Sequence, residues 1–338
     1  MSQAVRTEQA ARPHPSPLRR PRGRTVRRTI ISALLVIIAM ELVLRVVLGL
    51  GSPVVYQYDA ACGYLPSPNQ HVRRFGCRND INSFSMRSPD IAPQKPPGML
   101  RVLFVGDSVT YGTTHVDQSK IFTSLLAHDL PGRLQRPVEV LNASAGAWAV
   151  GNEAEYLESR GTFQSDVVVF VLNTGDLAQP FNHQRLTSVE GYPDHRPLSG
   201  LYELCTRYVG PRLIPALRPR PDMGSWASDA PDVAGILPQV LAALDEARDL
   251  AMRSRASFRI VYSPAHGGGW EHPAFAVGLR RLKDWARRTH TQLLDLTSPY
   301  AAAPSDEVYQ DGIHLREKGN QLVASALETQ WSWRPGGR

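Results

Sequence analysis

Five short runs of almost purely apolar residues constrain this chain most: Val102–Val105, Val138–Leu141, Val167–Leu172, Phe258–Tyr262 and Leu293–Leu296. Each is four to six residues long and rich in Val, Ile, Leu or Phe. A strand with one wet face alternates apolar and polar side chains, whereas an uninterrupted run suits a strand covered on both faces. Between the runs lie amphipathic stretches: Gln118–Leu130, Asn152–Arg160, Pro231–Arg255, and residues 276–289 and 315–331. Alternation of this kind implies right-handed crossovers and a parallel sheet with helices on both sides. Residues 178–230 break the rhythm: they hold many prolines and no clear strand. A segment this long is read as an insertion that follows a strand end, a lid or substrate wall beside any site there.

The N-terminal part obeys different rules. Residues 29–50 read TIISALLVIIAMELVLRVVLGL, and roughly 20 apolar residues suffice to cross a bilayer as a helix. Glu41 and Arg45 interrupt the run, but four residues apart they share a helix face and are less costly as a pair than singly. The run follows a basic tail: residues 1–28 hold eight arginines against one acid, Glu8, and account for the whole formal charge of +7. The remaining 310 residues carry 30 basic and 30 acidic groups, so the body offers no net basic surface for nucleic acid. Arginines before the span predict a cytoplasmic N-terminus and a body outside the cytoplasm. No A-x-A site follows, so the reading is an uncleaved, single-pass signal anchor in the cytoplasmic membrane; a cleaved signal peptide and a buried core helix are the rivals. Residues 51–99, rich in Pro, Gly and polar residues, are expected to be an extracytoplasmic connecting region ahead of a main domain over 100–332. Cys62 and Cys77 lie where oxidation is possible, and the spacing leaves a disulfide between them open. No CxxC or His/Cys ligand spacing calls for a metal.

In an open parallel sheet, ligands bind beyond the carboxyl ends of the strands. Those ends hold Gly106, Asp107 and Ser108 after the first run, residues 142–148 (NASAGAW) after the second, and residues 173–176 (NTGD) after the third. Near the C-terminus stands DGIHLREKGN, residues 311–320. A serine at a strand-to-helix turn places its hydroxyl near unpaired N–H groups and the positive end of a helix dipole. It needs a base to take its proton, and His314 is the candidate, with Asp311 three residues earlier to fix its tautomer. Singly, each residue has an ordinary reading: Ser108 as a helix cap, His314 as a surface histidine, Asp107 as capping or turn chemistry. Their combination at successive strand ends is what points to nucleophilic catalysis.

On GDSVT and DGIHL the chain resembles the SGNH hydrolases, also called the GDSL esterase/lipase family, in their membrane-anchored bacterial form. The resemblance covers roughly residues 100–330, and INSFSMRSPD (81–90) is similar to a segment preceding the catalytic domain in anchored members. It implies a three-layer α/β/α sandwich with a central parallel sheet of about five strands, and a catalytic triad of Ser108, Asp311 and His314. It also implies an oxyanion hole made by the Ser108 N–H and by Gly146, with Ala147 in that place if the alignment shifts by one. The family's G-x-N-D stretch is here N-T-G-D, so Gly175 occupies the asparagine's position and Asn173, two residues upstream, is the candidate amide for the oxyanion hole. The function implied is a membrane-anchored extracytoplasmic serine esterase or deacylase acting on O-acyl groups of cell-envelope carbohydrate or lipid, with no cofactor and no metal. Interception of the acyl-serine by a sugar hydroxyl instead of water would make an O-acyltransferase, and an SGNH-like binding or assembly protein is the third reading. G-x-S-x-G and G-x-G-x-x-G are both missing, against an α/β-hydrolase and a Rossmann protein.

Overall fold

The computed structural model describes residues 22–181, 192–214 and 231–333. Helix α1 (Arg22–Val46) carries the apolar run, with Leu34, Val36, Ile38, Leu42 and Val43 exposed along it. It starts earlier than the run because the preceding arginines are good helix formers. It stops short of residue 50 because Gly49 turns the chain out at φ +69°, where its carbonyl accepts from Arg74 Nη1 at 3.1 Å. Leu50 is then buried in the body.

Two hairpins follow: β1 (Tyr56–Asp59) with β2 (Gly63–Pro66), and β3 (Gln70–Arg74) with β4 (Cys77–Ile81). The region expected to be a connector is therefore ordered structure, and Tyr56, Tyr64, Leu65, Val72, Ile81 and Met86 enter the main core. Hydropathy concealed this because Gln70, Arg74 and Asn79 fill inward positions. Gln70 closes a two-way amide pair with the Val55 backbone, both bonds at 2.9 Å, so its burial leaves no polar group unpaired. Arg87 does the same on a larger scale, its buried guanidinium donating to the carbonyls of Arg78, Tyr111, Thr113 and Val116. Cys62 and Cys77 are free thiols, not a disulfide: Cys62 donates to Asp59 Oδ1 and Cys77 to the His115 carbonyl.

The central sheet has five parallel strands: β5 (Leu100–Gly106), β6 (Val138–Ser144), β7 (Val167–Asn173), β8 (Ser257–Ser263) and β9 (Gln292–Asp295), in the order β6-β5-β7-β8-β9. Around it pack α2 (Phe122–Leu134), α3 (Val150–Arg160), α4 (Val233–Arg253), α5 (Pro273–Arg288) and α6 (Glu317–Gln330). Successive strand residues point to opposite faces. Leu103, Val105, Phe170 and Ile260 face one core with Leu157, Leu237, Leu244 and Leu282 of α3, α4 and α5. Val102, Phe104, Val169 and Val261 face the other with Phe122, Leu126 and Leu130 of α2 and Val323 and Leu327 of α6. Both sheet faces are dry, which is why the runs are so largely apolar; burying each such apolar side chain stabilises by about 1.5–3 kcal/mol. The result is the three-layer α/β/α sandwich. The chain leaves β5 toward β6 on one side and returns to β7 on the other, so a crevice opens at the carboxyl end of β5.

Of the insertion, residues 182–191 and 215–230 lie outside the described residues. Residues 200–213 form a helical segment packed on α1, and Glu203 there makes a buried ion pair with Arg74 at 2.7 Å.

Candidate active site

At the crevice, β5 passes through Gly106 directly into the short helix Ser108–Tyr111. A side chain on Gly106 would overlap that of Thr110, so glycine lets the helix fold back over the strand end. Asp107 caps the helix, its Oδ1 accepting the Val109 N–H at 2.8 Å, and Gly112 ends it at φ +86°. Opposite lies the 311–314 loop, pinned where His266 N–H donates to the Gly312 carbonyl at 2.6 Å and Gln310 N–H to the His314 carbonyl at 2.7 Å. Gly312, at φ +90°, abuts the His266 carbonyl and leaves no room for a side chain.

Across 206 positions of sequence, His314 Nε2 stands 2.9 Å from Ser108 Oγ. His314 Nδ1 is 2.7 Å from Asp311 Oδ2, and Asp311 Oδ1 accepts the His314 N–H at 3.0 Å. With a carboxylate on Nδ1, the proton of the neutral ring belongs there, and Nε2 is left to accept from the serine hydroxyl. Burial opposes ionisation of Asp311, but the hydrogen bonds and charge of His314 outweigh it and hold the carboxyl at about 2. Burial likewise favours neutral His314, but the Asp311 hydrogen bond and charge, with a contribution from Asp107, raise it above its ordinary value.

Gly146 sits in the turn after β6. Its carbonyl accepts the Tyr64 hydroxyl at 2.8 Å, while Trp148 Nε1 and Asn152 Nδ2 donate to the Tyr64 and Cys62 carbonyls at 2.8 and 3.0 Å. The first hairpin thus holds this turn, and Ala147 takes φ +58° within it. Among the described residues the Gly146 N–H meets no acceptor. Tyr192, from the insertion, covers Gly146 so closely that any side chain there would overlap its phenol. Its ring is held edge-on by Tyr56 at 5.1 Å and lies 6.0 Å from Tyr64. Asn173 is buried; its Nδ2 donates to Asp107 Oδ2 at 2.8 Å and its Oδ1 accepts the Gly175 N–H at 2.5 Å. Asp107, read from sequence as capping chemistry, is thus a junction between the serine helix and β7, with its Oδ2 3.4 Å from Ser108 Oγ.

Two further acids lie buried behind this junction. Asp176 Oδ2 accepts the Asn173 N–H at 2.7 Å, whereas Asp176 Oδ1 and both Glu153 oxygens meet no partner among the described residues. Burial, then the charges of Asp176 and Asp107, push Glu153 well above the usual carboxylate range; burial and Asp107 do the same to Asp176. Both causes favour the neutral form of Glu153 in the folded protein. A raised folded pKa lowers stability as pH rises above the unfolded value of about 4.3, because only the unfolded chain ionises freely. Glu153→Gln removes that cost, so its melting temperature is expected to gain on wild type between pH 5 and pH 8; a constant difference would contradict this. The sequence sign for Glu153 was an acid on the same helix face as Val150, Ala154 and Leu157. Tyr64 and Tyr192 had none, since their roles arise from packing between distant segments.

A serine, an imidazole and a carboxylate joined in series at the switch point of a parallel α/β/α sheet define a serine hydrolase. The chain belongs to the GDSL-like lipase/acylhydrolase family, whose model matches residues 104–322, more than half of its length. Among solved structures, it is similar to an acetylxylan esterase of Geobacillus stearothermophilus, at 12% identity over 69% of this chain and 95% of that one, with a TM-score of 0.44. A lipolytic protein of the G-D-S-L family from Veillonella parvula matches at 14% identity over 68% and 96%, TM-score 0.43. The psychrotrophic esterase EstA of a Pseudoalteromonas species matches at 13% over 68% and 94%, TM-score 0.40. No curated protein matches the chain.

Proposed function

We propose that the protein is a membrane-anchored, extracytoplasmic esterase that removes short O-acyl groups from cell-envelope carbohydrate or lipid. Ser108 Oγ attacks the ester carbonyl while His314 Nε2 takes its proton; the C–O bond breaks and His314 returns the proton to the leaving alcohol. Water then attacks the acyl-serine with the same base, releasing the acid and restoring Ser108. Asp311 holds the imidazole and stabilises its charged form, and the N–H groups of Ser108 and Gly146 receive the oxyanion. Asn173 acts on the hole through Asp107, whose cap sets the direction of the Ser108 N–H. The observation that carries this reading is the 2.9 Å and 2.7 Å series from Ser108 through His314 to Asp311.

Three features support the finer parts. The exposed apolar surface of α1 and the arginine tail before it favour an anchor with the body outside the cytoplasm. A cleft of about 500 Å³ opens beside Asp311, lined by His266, Trp270, Asp306, Gln310 and Arg316, the polar and aromatic mixture that suits a sugar ring. A sugar hydroxyl seated there in place of water would turn hydrolysis into O-acyl transfer, the second reading. Finally, the Tyr192 phenol against Gly146 limits space beside the oxyanion to a small acyl group. Tyr192→Ala is accordingly expected to raise kcat/KM for butanoyl and hexanoyl esters about tenfold relative to acetyl, from roughly 1–3 kcal/mol of pocket discrimination, with Tyr192→Phe unchanged. An unaltered chain-length profile in Tyr192→Ala would remove that assignment.

The direct test uses the full chain in detergent micelles: turnover of p-nitrophenyl acetate, then release of acetate from O-acetylated envelope polysaccharide. Background rates on both, from folded protein, would defeat the esterase reading. Acetyl transfer to added polysaccharide in preference to water would favour the transferase.

A further inference from the structure

Glu41 and Arg45, the two charges within the apolar run, do more than pair with each other. The Glu41 carboxylate accepts the N–H groups of Gly200 and Leu201, both at 2.9 Å, and Arg45 Nη2 donates to the Leu198 carbonyl at 3.0 Å. Gly200 lies against Leu44 and Leu50, with little room for a side chain. These bonds fix the helical segment 200–213 at the level of the last turns of α1. The segment turns several apolar side chains outward: Leu198 is 90% exposed, Leu213 74%, and Tyr202, Val209 and Ile214 are also exposed. Beside it, Leu42, Val43, Val46 and Val47 of the α1 end are exposed as well.

The charges on this surface are one-sided. Residues 198–214 contain one acid, Glu203, which is buried and bonded to Arg74 and to the Gly51 N–H at 2.6 Å. Arg212 is exposed and Arg207 partly so, giving an outer face of apolar and cationic groups without an acid. Apolar side chains flanked by arginine are what an element lying in the bilayer interface presents to acyl chains and anionic headgroups.

We propose that residues 198–214 lie in the extracytoplasmic leaflet of the membrane and form a second lipid contact, clamped to α1 by Glu41 and Arg45. The proposal rests on reading α1 as the anchor, and its occupant is the lipid bilayer itself, because the surface continues that of α1. Two lipid contacts on one rigid body fix the tilt of the sandwich against the membrane, which a single flexible tether would leave free.

The test places the full-length chain in phosphatidylcholine/phosphatidylglycerol vesicles, with Cys62, Cys77 and Cys205 replaced by Ser. Single probe sites are then made by Leu198→Cys, Leu213→Cys, Val36→Cys and Glu158→Cys, labelled with a nitrobenzoxadiazole dye and quenched by nitroxide lipids. The expected result is strong quenching of the 198 and 213 probes by shallow nitroxide, of the 36 probe by deep nitroxide, and none at 158. Labels at 198 and 213 that behave like 158, with 36 still quenched, would overturn the second contact while leaving the anchor standing. An unquenched 36 probe would sink the anchor and the proposal together. Quenching at 213 that falls as the protein-to-lipid ratio rises would indicate a second copy and also overturn it. If the triple replacement does not fold, labelling of exposed Cys205 in Cys77→Ser protein gives the same readout, since Cys62 is buried.

Discussion

Ser108→Ala is expected to lower kcat for p-nitrophenyl acetate by about 10⁴–10⁶-fold while leaving KM within about threefold, the pattern of a group that acts on the reacting bond. The size follows from what remains: an oxyanion hole and a binding cleft without a nucleophile retain only about 10³–10⁴-fold acceleration over water. Fluorophosphonate labelling is expected in wild type and lost in the variant, because the probe bonds the activated hydroxyl. The fold should survive, since the short helix is capped by Asp107 and not by Ser108. The side-chain hydrogen bonds lost are those to His314 at 2.9 Å and to Asp107 at 3.4 Å, each worth about 0.5–1.5 kcal/mol at most. Equal labelling of both proteins, or its equal absence, would exclude Ser108 as the nucleophile.

Asp311→Asn carries the second large effect. Its amide cannot hold the ring in the orientation and tautomer the reaction needs, and kcat should fall about 10³–10⁴-fold, as when the corresponding group of a serine-protease triad is changed. The pH profile supplies an independent readout. The base must be the neutral imidazole, and His314 is raised, so wild-type kcat/KM should fall as pH drops through a value above about 6.5. In Asp311→Asn the largest raising influence is gone and burial pulls the other way, so this acid limb should move to lower pH, with Asp107 opposing part of the shift. Stability follows the same groups with opposite signs. Asp311, held at about 2, stabilises the fold above its unfolded value of about 3.9 and loses that contribution as pH falls toward 2. His314 contributes fully below about 6.5 and loses its contribution as pH rises through its raised folded value. A variant with the wild-type rate and an unmoved limb would show that the 2.7 Å contact has no part in the reaction.

Legibility in the sequence tracked how local each signal was. The strands were visible because a sheet covered on both faces demands Val, Ile and Leu at every position, as in Val167–Leu172. The hairpins over residues 56–81 were not, because Gln70, Arg74 and Asn79 occupy inward positions, where Gln70 pairs with the Val55 backbone and Arg74 with distant Glu203. Helix α1 ends at Val46, four residues before the apolar run does, because Gly49 turns the chain and Leu50 is buried in the body. At the site, the residues at strand ends could be named from order alone, and Ser108, His314 and Asp311 do meet. Asn173 could be named but not placed: only the coordinates reveal that its amide is taken by Asp107.

From the order of residues came the parallel sandwich, the apolar N-terminal helix and the set of polar groups gathered at the strand ends, since period, composition and short spacings are properties of adjacent positions. Tertiary structure alone decided that a hairpin tyrosine holds the Gly146 turn, that Tyr192 closes over it, that Glu153 is buried beside Asp176 and Asp107, and that Glu41 caps a segment 159 residues away. The physical reason is common to all four. Each contact's value depends on what water is excluded from the space around it, and that is set by which distant segments the fold packs together.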